Sequence, residues 1–497
     1  MAIPSNQANS RYLEVERKFE VVESTVSPSF DGLSLVSRVE RSPSQRLDAV
    51  YFDTAGRDLA TRRVTLRRRT GGADEGWHVK LPAGPDARTE VRAPLGSGDA
   101  HSVPEALLDV VLAIVRDHPL SPVARITTNR TVDTLYGPDG VAIAEFCDDL
   151  VTAKGEPDGE EQRWREWELE LVDGADPSLL DRLSNRLLDA GAVRAGHGSK
   201  LARVLESAGG PEPEPVAPPA DPVHRAVAGQ VEELLKWDRA VRADVYDSVH
   251  QMRVTTRKIR SLLQASEDTF GISDDAWILD ELRQLAAVLG VARDAEVLAE
   301  RYERALDELP DELVRGPVRE RLVDGAKRHY QSGLRRSLIA MRSERYFRLL
   351  DALEAVVASE PAPTQPGEQP AQLTIDSAYK RVRKAAKAAA EAVDADRDEA
   401  LHRIRKGAKR LRYTASATGA DKVSGRAKTI QTLLGDHQDS VVSRTHLTHQ
   451  AEAAHAAGED TFTYGLLYQL EDDLARRSRE QLDDALKKLD RSVRRAR

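Results

Sequence analysis

The sequence predicts an α+β multidomain protein, strand-rich in its first part and all-helical in its second. Three observations lead there: a length of 497 residues, two proline-rich interruptions, and a change of hydrophobic period between the two parts. At about 150 residues per domain, the length calls for roughly three structural units. The stretch Gly209 to Pro222 carries six prolines and reads as an extended, semi-rigid linker. A second proline-rich stretch, 361–370, divides the C-terminal part again. The expected organisation is a domain over 1–208, the linker over 209–222, and a helical domain over 223–497 with lobes of about 223–360 and 371–497.

Before the linker, short alternating segments separated by Gly, Pro and Asp predict strands over Tyr12–Val21, Arg63–Arg69, Gly76–Leu81, Arg88–Pro94, Gly140–Cys147 and Arg165–Leu171. Helical spacing predicts helices over about 103–117 and 177–190. Beyond Pro222 the chain turns to long segments of Ala, Leu, Arg and Glu at helical spacing.

Hydrophobic residues make up 40% of the chain, enough for packed cores and too much for a disordered one. The single cysteine, Cys147, rules out a disulfide within the chain and a cysteine-based zinc site, and it fits a reducing, cytoplasmic setting. The most apolar run, Ala106 to Val115, is too short to span a bilayer and contains Asp109. The N-terminus lacks a signal pattern, so no membrane association is expected. A net charge of −9 argues against a protein that coats nucleic acid. Screening limits charge effects to about 8 Å, so a local basic cluster can still hold an anion.

Residues two apart on a strand share a face. Glu14, Glu16 and Lys18 do so, as do Arg67 and Arg69, His78 and Lys80, Arg88, Glu90 and Arg92, and Glu166, Glu168 and Glu170. A half-buried sheet would simply solvate such faces. Here the opposite faces are apolar enough to need cover, and acids lie on the first and last strands with cations between. A closed barrel with a polar lumen accounts for both features. Its carboxylates would gather a divalent cation, with magnesium bridging to phosphate as the natural occupant.

Glu14-Val-Glu-Arg-Lys18 resembles the ExExK signature of the CYTH superfamily, the triphosphate tunnel metalloenzymes. Tyr51-Phe-Asp-Thr54, Leu66-Arg-Arg-Arg69, Trp77-His-Val-Lys80, Arg88-Thr-Glu90, Asn129-Arg-Thr131, Ala144-Glu-Phe-Cys-Asp-Asp149, Trp167-Glu-Leu-Glu-Leu171 and Ser199-Lys-Leu201 come after it in family order across nearly all of 11–206. The resemblance implies an eight-stranded antiparallel barrel enclosing a tunnel, where a triphosphate lies between basic residues and acid-bound Mg2+ or Mn2+. Glu14, Glu16, Lys18, Glu168 and Glu170 would be the catalytic set. Glu14, Glu16, Glu168 and Glu170 would serve the metal, supported by Glu145 and by Asp148 or Asp149. Lys18, Arg67, Arg69, Lys80, Arg125, Arg130 and Lys200 would hold phosphate, with water as the attacking group. Glu166 shares the face of Glu168 and Glu170, which leaves two registers open for the metal pair. Cys147 reads as a small buried filler. His78 reads as a solvated strand histidine or a phosphate contact.

In the helical part, His250-Gln-Met-Arg-Val-Thr-Thr-Arg-Lys-Ile-Arg260 aligns without gaps on His402-Arg-Ile-Arg-Lys-Gly-Ala-Lys-Arg-Leu-Arg412, and Leu289-Gly-Val-Ala-Arg-Asp294 on Leu434-Gly-Asp-His-Gln-Asp439. Two ordered matches indicate a duplicated helical unit. His250, Arg253, Arg257 and Arg260 fall within about 80° on a helix, opposite Met252, Ile259 and Leu263. His402, Arg405, Lys409 and Arg412 repeat the pattern against Ile404 and Leu411. Such stripes suit a polyanion, and with Tyr413 as their one aromatic they offer little for base stacking. His446-x-x-His449 and His455 raise a metal reading, but no HExxH is present. The region resembles the CHAD domain through His250, His402, the cations that come after them and the two Leu-Gly elements. That resemblance implies a two-lobed helical bundle binding inorganic polyphosphate. The second lobe departs from the first with Asp436-His437-Gln438 in place of Val291-Ala292-Arg293.

The expected function is a divalent-metal-dependent triphosphatase acting on inorganic triphosphate or a related compound, located in the cytoplasm and associated with polyphosphate granules through its helical domain. Two rivals stand beside it: a polyphosphate-binding scaffold without turnover, and a class IV-like adenylyl cyclase, for which no adenine-reading residues are evident. The chain has no Gly-Lys-Ser/Thr for a P-loop.

Overall fold

A computed structural model describes residues 10–207, 222–265, 270, 276–359, 375–417 and 419–496. The expected linker lies outside the described residues, except for Pro222, which opens a helix; the stretch 361–370 also lies outside them. Two compact units are present. The first comprises Met1–Leu285 with Leu338–Pro361, and the second comprises Ala286–Ser337 with Ala362–Arg497.

Among the described residues the first unit contains ten strands: β1 (Ser10–Val21), β2 (Arg38–Arg41), β3 (Gln45–Asp53), β4 (Thr65–Thr70), β5 (Gly76–Pro82), β6 (Ala87–Ala93), β7 (Ser121–Tyr136), β8 (Ala142–Gly155), β9 (Glu161–Leu171) and β10 (Val193–Arg194). Eight of them pair antiparallel in the order β1-β6-β5-β4-β3-β7-β8-β9, and β9 returns to β1 with Glu16 opposite Glu170 and Lys18 opposite Glu168. The sheet is therefore a closed barrel. Short β2 adds to β7 and β10 to β1. The β4–β5 turn requires glycine: Gly71 has φ +81°, and a Cβ there would lie 2.3 Å from the Arg46 carbonyl oxygen.

Alternation along the strands gives two faces. Outward Phe19, Phe146, Trp167 and Leu169 are covered by Leu180, Leu183 and Leu187 of helix α3 (Ser178–Asp189). Arg17, outward on β1, fixes that helix through Asp181 at 2.9 Å and Ser184 at 3.0 Å. Asp53 accepts the amides of Leu59 and Ala60 and so caps the single turn of α1 (Asp58–Thr61). At one end of the lumen, helix α4 (Lys200–Ser207) buries Leu201, Val204 and Leu205 against inward-facing Ala49, Tyr51, Ala124, Ile126, Val151 and Ala153. It acts as an apolar plug.

Helix α2 (Glu105–Val115) contains the apolar run noted in the sequence, and every residue from Val110 to Val115 is buried. It packs on β5 and β6 and also on helix α5 (Pro222–Arg242) of the helical region. Ion pairs frame this contact. Arg116, just past the end of α2, meets Asp351 and Glu354 of the helix Glu344–Ala358, and Arg62 meets Glu354. Arg342 reaches Asp109 at 2.8 Å and Arg348 reaches Asp117 at 2.6 Å. The barrel and the first helices thus share one compact unit. Helix α6 (Ser248–Ala265) comes next after α5 and packs on it.

In the second unit the helices Ile375–Glu391, Asp394–Ala417, Asp421–Ala456 and Phe462–Ala496 enclose a core that includes Val382, Ile404, Leu411, Ile430 and Leu489. A second cluster joins Tyr302 and Leu306 to Leu447 and Leu467. Among the described residues, no helix is long and apolar enough to cross a membrane.

Arg116 is nearly buried and has two acidic partners in part-buried surroundings. Arg116→Ala is expected to cost about 2 kcal/mol of unfolding free energy, because charge-assisted hydrogen bonds from a nearly buried guanidinium are lost, while Glu354 keeps Arg62 and Asp351 keeps Arg348. Denaturant unfolding of the full chain measures it.

Candidate active site in the barrel lumen

The lumen encloses about 800 Å³ free of protein atoms, its open mouth included. Its walls follow from strand parity. β1 contributes Glu14, Glu16 and Lys18; β4 Arg67 and Arg69; β5 Lys80; β6 Arg88 and Arg92; β7 Thr128 and Arg130; β9 Glu168 and Glu170; and the start of α4 contributes Lys200. One wall is basic and the other acidic.

On the basic wall, burial and the adjacent Arg67 and Arg130 press the Arg69 guanidinium down to about 9. Among the described residues the Nε atoms of Arg67 and Arg69 are buried without a hydrogen-bond partner, although the same guanidiniums reach Tyr51 and Asp74 through their terminal nitrogens. Buried donors left unsatisfied are costly, so this wall is set to receive anionic oxygens. The Tyr51 phenol lies below its ordinary value: burial raises it, but Arg67, Lys200 and Lys80 pull it down.

On the acidic wall, the Lys18 ammonium bridges Glu16 and Glu168, and Lys80 lies 2.6 Å from Glu14. Burial raises Glu16, yet Lys18 and Lys80 outweigh it and hold that carboxyl at about 2. Glu170 differs. Among the described residues no cation forms an ion pair with it, and burial together with the charges of Glu14 and Glu16 pushes it up to about 7, with Lys80 only partly opposing. Burial also raises Glu14, against Lys80. Carboxylates crowded without enough positive charge, with oxygen as the only donor type, fit a hard divalent cation. A second acidic group consists of Asp149, Glu166 and Glu168, whose oxygens lie within 4.8 Å of one another. There Lys200 Nζ stands 2.8 Å from Asp149, 2.7 Å from Glu166 and 2.7 Å from Glu168.

Most residues named from the sequence meet in this lumen, and two face outward instead. Arg125 is corrected: it points outward, is 56% exposed and pairs with Glu156 at 2.7 Å. Arg125 and Arg130 lie five residues apart on β7, an odd spacing that places them on opposite faces. Asp148 is also corrected, since it faces outward and binds Arg165 and Ser27. Its neighbour Asp149 faces inward and holds Arg130 in a two-pronged pair at 2.8 and 2.6 Å. Glu145 has the parity of Asp149 and stands opposite Glu170 in register. Cys147 is buried, and burial pushes its thiol up.

His78 is not solvated. It is 1% exposed, with Nδ1 at 2.8 Å from Glu90 and Nε2 at 3.0 Å from the Asp74 carbonyl. Burial, aided by Arg67, lowers it to about 4 against the pull of Glu90. Glu90 is absent from the site expected on sequence grounds. It is fully buried, pairs with Arg92 and lies 3.9 Å from Lys80. The charged triplet Arg88, Glu90, Arg92 is the signal that points to it.

The two basic helical stripes lie in different compact units. On α6, Met252, Ile259 and Leu263 are buried, Arg257 is exposed, and His250, Arg253 and Arg260 are half-buried. On the helix Asp394–Ala417, Ile404 and Leu411 are buried, while His402, Arg405, Lys409 and Arg412 are half-buried. Arg405 packs against Gly435, where a Cβ would stand 3.4 Å from its guanidinium. Burial raises the Asp439 carboxyl while Arg405 and Arg301 draw it down. The two motifs of this half of the repeat therefore face each other.

Residues 13–203 match the CYTH domain family and residues 225–448 the CHAD domain family. An uncharacterised protein of Mycobacterium tuberculosis, Rv2226, is 69% identical over 507 residues, and the match covers 98% of each chain. The chain belongs to the CYTH–CHAD proteins. Solved structures similar to it include PptA from Streptomyces chartreusis, at 18% identity and TM-score 0.44 over 55% of this chain and 100% of that one. The CHAD domain from the plant Ricinus communis matches at 22% identity and TM-score 0.40, over 53% and 90%. CYTH superfamily members are metal-dependent triphosphatases or cyclases, and the acidic groups of this CYTH barrel supply donors for a divalent ion.

A metal ion ligated by Glu170 would bind in a pH-dependent way. The Glu170 carboxyl must be ionised to act as a ligand, so affinity for Mn2+ should rise from about pH 6 to about pH 8, with proton release at the lower pH. Calorimetric titration in two buffers of different ionisation enthalpy reads the release, and Glu170→Gln should remove most of it.

Proposed function

We propose that the CYTH barrel hydrolyses inorganic triphosphate or a related triphosphate with Mg2+ or Mn2+, and that the CHAD region binds inorganic polyphosphate. The observation carrying this reading is the division of one lumen into a basic wall with unsatisfied guanidinium donors and an acidic wall with surplus carboxylates. Phosphoryl transfer needs charge neutralisation and in-line positioning more than it needs a protein nucleophile.

Arg67, Arg69, Lys80 and Arg130 would bind the phosphate oxygens and spread the charge that accumulates as the terminal anhydride bond breaks. Water adds to the terminal phosphorus, the bridging oxygen leaves with the diphosphate, and inorganic phosphate is the second product. Glu14, Glu16, Glu168 and Glu170 would hold the divalent ion, which supplies Lewis-acid polarisation of phosphoryl oxygens when bound. The apolar part of the lining is confined to a few residues such as Leu47, Ala49 and Ile126, which supports an inorganic substrate over one carrying a base.

Phosphate release from tripolyphosphate, long polyphosphate, ATP and thiamine triphosphate, each with several metals, tests the reading. Tripolyphosphate with Mg2+ or Mn2+ should release phosphate; retained binding without release under every metal would leave a scaffold instead. Arg67→Ala should lower kcat/KM for tripolyphosphate by about 10²-fold, the scale for removing one preorganised donor.

The stripes give a separate outcome. Replacing Arg253, Arg257, Arg405 and Lys409 together with Ala should weaken long-polyphosphate binding and flatten its salt dependence. Tripolyphosphate hydrolysis should change by less than about twofold, since none of the four lines the lumen.

A further inference from the structure

The Asp149–Glu166–Glu168 triad has the donors for a cation, and the chain already fills it with one of its own. The Lys200 ammonium stands 2.7 to 2.8 Å from one oxygen of each acid. A divalent ion would take the same oxygens at about 2.0–2.6 Å. The two therefore compete for one position, both by space and by charge.

Charge balance favours the ammonium. Lys200, Arg130 and Lys18 each contact the triad, and together their positive charges equal its three negative ones. A divalent ion entering beside all three would leave the group two charges positive and one replacing Lys200 only one, so entry is easier when Lys200 leaves and the oxygens it occupies become free. Departure is feasible because the backbone need not move. Lys200 opens α4, which Leu201, Val204 and Leu205 anchor in the apolar floor. Its four-carbon stem can turn while the helix stays seated. Ser199 and Lys200 also line the lumen, so an anion there lies within reach of the ammonium.

We propose that Lys200 is a displaceable counter-ion that keeps divalent cations out of the Asp149–Glu166–Glu168 triad until an anion in the lumen draws it away. The inference rests on the proposed function only in naming phosphate groups as that anion. Around Glu170 the ammoniums are more dispersed: Lys80 lies against Glu14 and Lys18 against Glu16, and among the described residues no cation forms an ion pair with Glu170 itself.

The test uses the full chain and Mn2+ alone, followed by calorimetry and by the Mn2+ electron paramagnetic resonance signal. Lys200→Met should bind an additional equivalent of Mn2+, or bind Mn2+ about tenfold more tightly than wild type, because the three buried acids have lost the one cation they share, with Arg130 and Lys18 reaching only Asp149 and Glu168. Asp149→Asn in the Lys200→Met background should remove the gain. Mn2+ should also raise the unfolding temperature of Lys200→Met more than that of wild type, since it binds only the folded chain at this site. Should Lys200→Met fold poorly, Lys200→Gln is read the same way. Identical Mn2+ isotherms for variant and wild type, or a gain that survives Asp149→Asn, would overturn the inference. These readings need no turnover: a chain that hydrolyses no triphosphate but shows the gain rejects the enzymatic reading and keeps this one.

Discussion

Pairing of opposite charges inside the barrel is the interaction on which the rest of the structure depends. Closure sends every second residue of eight strands into a space shielded from water, and a carboxylate buried alone there would cost several kcal/mol. Lys18 between Glu16 and Glu168, Lys80 beside Glu14 and Lys200 within its triad make that interior tolerable. The balance is incomplete in two places. Arg67 and Arg69 keep unsatisfied Nε donors, and Glu170 keeps a carboxyl that no described cation neutralises by contact. These residual imbalances have opposite sign and lie on opposite walls. A bound phosphate chain and a divalent ion would relieve both.

A charged interior forces an apolar exterior, and the exterior explains the helices. Phe19, Phe146 and Trp167 need α3, while Trp77 and Val79 of β5 need α2. A helix as apolar as α2 cannot present its far side to water, so α5 covers it. The run from Ala106 to Val115 is too short for a membrane and is the buried middle layer between sheet and helix. For this reason the compact units do not divide at the proline-rich stretch.

Strand parity also decides what can be read from the sequence. Glu14, Glu16 and Lys18 are legible because a spacing of two cannot mislead within one strand. Arg125 is misplaced because a charge on a long, irregular strand such as β7 has no apolar neighbour pattern to fix its side. Asp148 and Asp149 are adjacent, so one has to face outward, and only the Arg165 partner of Asp148 decides which. β3 and β7 escape the alternation test. Arg46-Leu-Asp-Ala-Val-Tyr-Phe52 ends in an apolar run, and Ser121 to Tyr136 mixes polar and apolar residues on both faces. Glu90 and His78 show a different limit: their spacing is visible, but a buried carboxylate–imidazole pair needs the β5–β6 register, which sets Lys80 opposite Glu90 and His78 opposite Arg92.

The same register links the two regions of the chain. β5 and β6 carry His78, Lys80, Glu90 and Arg92 toward the lumen, and their outer faces are the ones on which α2 lies. Helix α2 is held in turn by Arg116, Arg342 and Arg348, through partners on both sides of the barrel–helix contact. The strands that present part of the basic wall are therefore the strands the helical region buttresses. A phosphate-binding cation must keep its direction although its neighbours repel it, and rigid support behind its strand supplies that. The association of this barrel with helices thus has a mechanical rationale in the first compact unit, independent of any polyanion bound by the helical stripes.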